Sequence, residues 1–125
     1  MQVRDVMNYE CVVVSPEVTV QKAAQKMDEY DVGVLPVCDA GRLVGVITDR
    51  DIVLRAVALG RDTAGIKVRE VMTTDPSYCY EDDEAPVAAK TMEDRKIRRL
   101  PILSRNDRLV GIVSLRDLQV CRIIS

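Results

Sequence analysis

Two short stretches of this 125-residue chain hold the side chains best suited to chemistry. Gly45-Val46-Ile47-Thr48-Asp49-Arg50-Asp51 and Gly111-Ile112-Val113-Ser114-Leu115-Arg116-Asp117 each run from a strand-like apolar pattern into a helical one. Each places a hydroxyl at the junction and a carboxylate three residues later. Thr48-x-x-Asp51 and Ser114-x-x-Asp117 have the spacing of a capping box, in which the hydroxyl accepts a backbone N–H and the carboxylate reaches back. The same arrangement suits a sugar-phosphate. A helix start offers N–H donors and positive dipole to a phosphate, and a carboxylate accepts from ribose hydroxyls. One such motif is weak, but two at matching positions are more selective, and both readings stay open.

A basic pair adds to the second stretch. Ile97-Arg98-Arg99-Leu100-Pro101 opens an apolar run whose counterpart is Val32-Gly33-Val34-Leu35-Pro36. Strand alternation predicts that one arginine faces solvent and the other the far face of a sheet. A solvated pair is the plain expectation, whereas a guanidinium at a cleft mouth takes a phosphate bidentately. The second stretch would then carry a phosphate clamp that the first lacks.

What is missing narrows the field. Histidine is absent, which excludes Ser-His-Asp and Cys-His catalysis and the commonest zinc sites. With no Phe, no Trp and a net charge of −2, neither base-stacking platforms nor a broad electrostatic pull toward nucleic acid or anionic membrane is expected. Apolar runs fall far short of the ~20 residues that span a bilayer, and no secretory leader is read at the start. A cytoplasmic protein without catalytic or metal centres is expected. Cys11, Cys38 and Cys121 lie in apolar runs and read as buried, reduced thiols, while Cys79, between Tyr78 and Tyr80, reads as the one most open to exposure.

The elements that must position these groups come from an internal duplication. Val3-Arg4-Asp5-Val6-Met7 returns as Val68-Arg69-Glu70-Val71-Met72, sixty-five residues on, and Leu35-Pro36-Val37 returns as Leu100-Pro101-Ile102. After one extra residue in a turn, Leu43–Thr48 matches Leu109–Ser114. Cys11–Val14 reads as a strand. Val20, Ala23, Ala24 and Met27 fall on one helical face behind a Thr19 cap, and Pro86 sits in the first turn of the equivalent helix. Val32–Cys38 and Leu43–Ile47, joined by Asp39-Ala40-Gly41-Arg42, predict a buried hairpin. A second helix follows from Asp51 with Ile52, Val53, Ala56 and Val57 inward and Gly60 as its stop. The predicted fold is α+β: two strand-helix-strand-strand-helix repeats, residues 1–64 and 65–125, with Arg61–Ile66 as the join. About sixty residues is marginal for an independent core, so the copies are expected to pack sheet to sheet.

These residues resemble a tandem pair of cystathionine-β-synthase (CBS) domains, also called a Bateman module. The likeness covers Val3 to the C-terminus and rests on the Val-Arg-Asp-Val-Met lead-in, the Leu-Pro-Val hairpin start and the two Gly-x-x-Thr/Ser-x-x-Asp elements. It implies pseudo-two-fold symmetry, two clefts for adenosine-containing ligands, and a homodimer formed through helices. It further implies that Thr48 and Ser114 lie near phosphate, that Asp51 and Asp117 bind ribose hydroxyls, and that Arg98 and Arg99 match a phosphate-contacting basic pair. Backbone and apolar side chains around Val12–Val14 and Ser77–Cys79 would form the adenine pockets. AMP, ADP or ATP is the implied ligand, with S-adenosylmethionine a further possibility, and a separate effector protein is the implied partner. Gly33 and Val34 depart from the basic pair. Glu81-Asp82-Asp83-Glu84 also departs, placing negative charge at a helix start where it could repel a polyphosphate.

Overall fold

A computed structural model describes residues 1–118. Two compact units emerge: Val12–Pro76, and Met1–Cys11 together with the chain from Ser77 onward. The first eleven residues therefore pack with the second copy, and the segment before Ser77 packs with the first copy.

In the Val12–Pro76 unit, α1 (Val20–Tyr30) starts at Thr19, whose Oγ1 accepts the Lys22 N–H at 3.1 Å. Val20, Ala23 and Met27 are buried along one face, following the apolar spacing. β1 (Val34–Asp39) and β2 (Arg42–Thr48) form an antiparallel hairpin. Its two-residue turn holds Ala40 at φ 52° and Gly41 at φ 80°, the left-handed pair that a tight hairpin requires. Alanine is strained there, so Ala40→Asn should raise stability by about 0.5 kcal/mol, seen as a small rise in Tm.

The strand expected at Cys11–Val14 is reduced to a single parallel bridge between Val14 and Val37. Val14 gives its N–H to Pro36 and takes that of Cys38, and Ser15-Pro16 then turns the chain away. The helix after β2 also differs from expectation. α2 (Asp49–Ile52) widens into a π turn over Val53–Val57. Ile52 and Ala56 face inward as expected, but Val53 and Val57 are 53% and 60% exposed, because the extra residue per turn rotates them away from the core. Gly60, at φ 69°, ends the run.

The Met1–Cys11 and Ser77-onward unit repeats the plan. β3 (Cys79–Tyr80) runs parallel to β4 (Arg99–Leu103), which pairs antiparallel with β5 (Leu109–Ser114). Between them lies α3 (Ala85–Arg95), with proline in its first turn. Both hairpins shift register at matching places, Val37/Cys38 and Ile102/Leu103. Residues 115–118 begin the helix after β5.

The two lead-ins are crossed over. Short 3-10 turns at Val3–Asp5 and Val68–Glu70 bury their valines, but Val3 and Met7 join the core of Leu100, Ile102 and Val113. Val68 and Val71 join the core of Leu35, Val37 and Ile47. Thr73 and Val46 exchange both backbone hydrogen bonds, as do Asn8 and Ile112. Each copy's hairpin is thus edged by the segment that precedes the other copy.

Candidate functional site

Both hydroxyl–carboxylate motifs fold as capping boxes. Thr48 N–H donates to Asp51 Oδ2 at 3.0 Å and Asp51 N–H donates to Thr48 Oγ1 at 3.0 Å. Ser114 and Asp117 make the same reciprocal pair at 3.0 Å and 3.0 Å. The box does not use up the groups. Each hydroxyl acts only as acceptor in it and keeps its proton to donate, and a carboxylate has further lone pairs beyond the one engaged. Capping fixes the direction of both side chains, which is what a ligand site needs.

The two copies differ in what surrounds the box. In the first, Asp51 Oδ2 also accepts the Thr73 hydroxyl at 3.4 Å, and Arg55 Nε lies 3.9 Å from Oδ1. Arg55 is itself anchored by the carbonyls of Val71 and Met72, at 3.1 Å and 3.2 Å. Across from Thr48 stands Val34. In the second copy the residue matching Thr73 is Asn8, whose Oδ1 accepts the Glu10 N–H instead. Across from Ser114 stands Arg99.

Directly opposed residues of an antiparallel pair share a face, with Cβ atoms about 5 Å apart. The structure therefore brings Arg99, Ser114 and Asp117 to one end of one hairpin. It separates Arg98 from them. The Arg98 carbonyl accepts the Leu115 N–H at 2.7 Å, and the residue lines a cavity against α3. Both arginines are exposed.

The residues assigned to adenine pockets divide. Val14 and Cys79 are core residues, 3% and 4% exposed, so their backbone rather than their side chains is what they can offer such a pocket. Val12 is half-buried against the first core and Ser77 is half-buried, so both remain available. Period and propensity could not separate them, because a one-residue offset along an extended segment reverses the facing.

The cysteines also invert the expectation. Cys79 is the buried thiol, its Sγ 3.9 Å from Thr91 Oγ1, while Cys11 and Cys38 are half-buried; Cys121 lies outside the described residues. Tyr78 and Tyr80 stack edge to face outside while β3 turns Cys79 inward. Burial pushes the Cys79 thiol above its ordinary range. A raised folded value means stability is intact below the unfolded thiol's pKa and falls as pH rises past it. Iodoacetamide at pH 8 should label Cys11 in the native protein and Cys79 only after unfolding.

The acidic run does not form a free negative patch. Arg4 lies 3.6 Å from Glu81, Arg105 2.9 Å from Asp82, and the terminal ammonium 3.2 Å from Glu84. Asp83 accepts the Tyr80 N–H at 2.9 Å. Arg105 also lies over the Tyr80 ring at 4.2 Å. Among the described residues, no three Cys, Asp or Glu side chains gather in a way that could hold a metal ion, and no helix is long and apolar enough to cross a membrane.

Two α+β units built on one plan, each ending its hairpin in the same capped junction, define a duplicated domain. The CBS domain family matches residues 3–57 and 68–120, and the chain belongs to that family. The CBS domain-containing protein YhcV of Bacillus subtilis is 45% identical over 123 residues, covering 94% of this chain and 83% of that protein. A crystal structure of Hypoxic Response Protein I with two coordinated zinc ions superposes with a TM-score of 0.88 at 36% identity, covering 96% of this chain and 98% of the other. The Mycobacterium tuberculosis protein of that name is 41% identical over 122 residues, covering 92% of this chain and 80% of that protein. CBSX2, solved in complex with AMP, superposes with a TM-score of 0.85 at 28% identity, covering 98% of this chain and 96% of the other. The fold is the α+β fold of CBS pairs.

Proposed function

We propose that this chain is a regulatory module that binds an adenine nucleotide through its second copy and reports occupancy to a partner protein. The observation that carries this is the opposition of Arg99 and Ser114 beside the Ser114–Asp117 box. A guanidinium and a hydroxyl proton suit a phosphate, and the carboxylate suits ribose hydroxyls. The AMP complex of CBSX2 supports an adenosine ligand for this fold. Ser77, half-buried beside β3, is a residue we assign to the adenine side. The module acts in the cytoplasm as a homodimer, and its output requires that the ligand favour one conformation over another.

A second reading applies to the first copy. Thr73 and Arg55 already engage Asp51, and Val34 replaces the arginine. We assign this copy a structural role, or a ligand without phosphate such as S-adenosylmethionine, with Thr48 and Val12 lining it.

Thermal unfolding with AMP, ADP, ATP and S-adenosylmethionine tests both readings. A ligand at 100 times its Kd adds about 2.7 kcal/mol. Failure of all four to raise Tm, together with no nucleotide in the mass spectrum of the denatured protein, would leave an interaction scaffold without a ligand.

A further inference from the structure

The carboxylates that close the two capping boxes are not equally free. In the first copy both oxygens of Asp51 are engaged, and its side chain is 13% exposed. Oδ2 accepts the Thr48 N–H at 3.0 Å and the Thr73 hydroxyl at 3.4 Å, while Oδ1 lies 3.9 Å from Arg55 Nε. Arg55 is held in turn, because its Nη1 donates to the Val71 and Met72 carbonyls at 3.1 Å and 3.2 Å. Thr73 follows directly and is fixed by its two backbone hydrogen bonds with Val46. The lead-in thus carries one competitor for Asp51 and anchors the other.

In the second copy Asp117 accepts the Ser114 N–H at 3.0 Å. Among the described residues it has no ion pair and no hydrogen bond outside its box. The residues at the positions of Thr73 and Arg55 are Asn8 and Cys121. Asn8 directs Oδ1 to the Glu10 N–H, and a thiol carries no positive charge.

A ribose brings two hydroxyl protons to a carboxylate. At Asp51 they must replace the Thr73 hydroxyl and draw the carboxylate away from a guanidinium, whose attraction a neutral alcohol does not match. We propose that Arg55 and Thr73 set the specificity of the first copy by occupying its carboxylate, which holds its affinity for a ribose diol about tenfold below that of the second copy. The inference rests on the ribose role given to Asp51 and Asp117 above, and adds a discrimination that needs no phosphate. Val34 opposite Thr48 and Arg99 opposite Ser114 separate the copies toward a phosphate. Arg55 and Thr73 separate them toward the sugar.

Adenosine, which has no phosphate, is therefore the probe, and titration calorimetry on the full chain reads its binding. Wild type should show one strong site, weakened by Asp117→Asn, and a second about tenfold weaker. Arg55→Met keeps an apolar stem without the charge, and Thr73→Val keeps the shape and both backbone bonds without the hydroxyl. Each should strengthen the weaker site about threefold, and the two together about tenfold. Adding Asp51→Asn should abolish that gain, and its amide oxygen can still accept the Thr48 N–H. Circular dichroism checks folding, and Thr73→Val, which breaks no backbone bond, carries the test by itself if the double variant melts. A folded variant with no gain in affinity, even with a lowered Tm, gives Arg55 and Thr73 a structural role and overturns the inference. The Asp117-dependent site would then leave the ligand reading standing. Equal adenosine affinity at both copies of the wild type overturns the inference as well. An Asp51-dependent gain in a protein without an Asp117-dependent site upholds it and removes the second-copy reading. Adenosine binding in none of these proteins overturns both.

Discussion

Gly111→Ala should lower stability by about 3 kcal/mol, and Gly45→Ala by a similar amount. A Cβ on Gly111 would lie 2.7 Å from the Asn8 carbonyl oxygen and 3.1 Å from Met7 Sδ. On Gly45 it would lie 2.6 Å from the Thr73 carbonyl oxygen and 3.0 Å from Met72 Sδ. Neither glycine has a positive φ, so alanine is conformationally acceptable and the whole cost is collision. The nearest obstructing atom in each case is a backbone oxygen, which cannot swing aside as a side-chain end can. Relief requires moving the lead-in, which stretches the paired hydrogen bonds of Asn8 with Ile112 or Thr73 with Val46 and unseats Met7 or Val71. Gly65→Ala is the control, because its Cβ meets first the tip of the Asp62 side chain, at 3.3 Å. Thermal melts of the three variants should show drops of about 10 °C for Gly45 and Gly111 and little change for Gly65. A Gly111→Ala protein as stable as wild type would mean that the lead-in does not pack there.

Arg99→Ala should weaken AMP binding by ten- to a hundredfold while leaving adenosine binding within about threefold. A charge-assisted hydrogen bond contributes about 1.5–3 kcal/mol, and adenosine has no phosphate to lose. Asp117→Asn tests the ribose contact and keeps the fold, because its amide oxygen can still accept the Ser114 N–H. It should weaken AMP and adenosine alike. Val34→Arg supplies the first copy with the missing guanidinium opposite Thr48. If charge at that position governs phosphate binding, titration calorimetry should then show a second AMP site. Equal AMP affinity in wild type and Arg99→Ala would remove the guanidinium from the site.

The duplication, the helix starts marked by Thr19 and Pro86, both hairpins and both capping boxes were legible in the sequence, because each rests on local spacing. Facing was harder to read. Val53 and Val57 lie on the apolar stripe of an ideal 3.6-residue helix, and only the wider π turn carries them outward. The inward facing of Cys79 and Val14 could not be read from sequence, because extended segments so short have too little alternation to set a phase. Arg98 and Arg99 could be recognised as a pair, but their division required the register, which pairs Arg99 with Ser114. The crossing of the lead-ins left no local signal, since Val3–Met7 and Val68–Met72 are nearly the same sequence and either could edge either hairpin.

The crossed lead-ins bear on how the chain is made. Residues 12–76 form one continuous unit and can fold while later residues are still being synthesised. The opening eleven residues have no such seat nearby. Their pairing with β5 waits until Ile112 has emerged and then closes a loop of about 100 residues, at an entropic cost that grows only slowly with length. Val3 and Met7 are thus made well before the core that receives them and are among the last of the described residues to be secured.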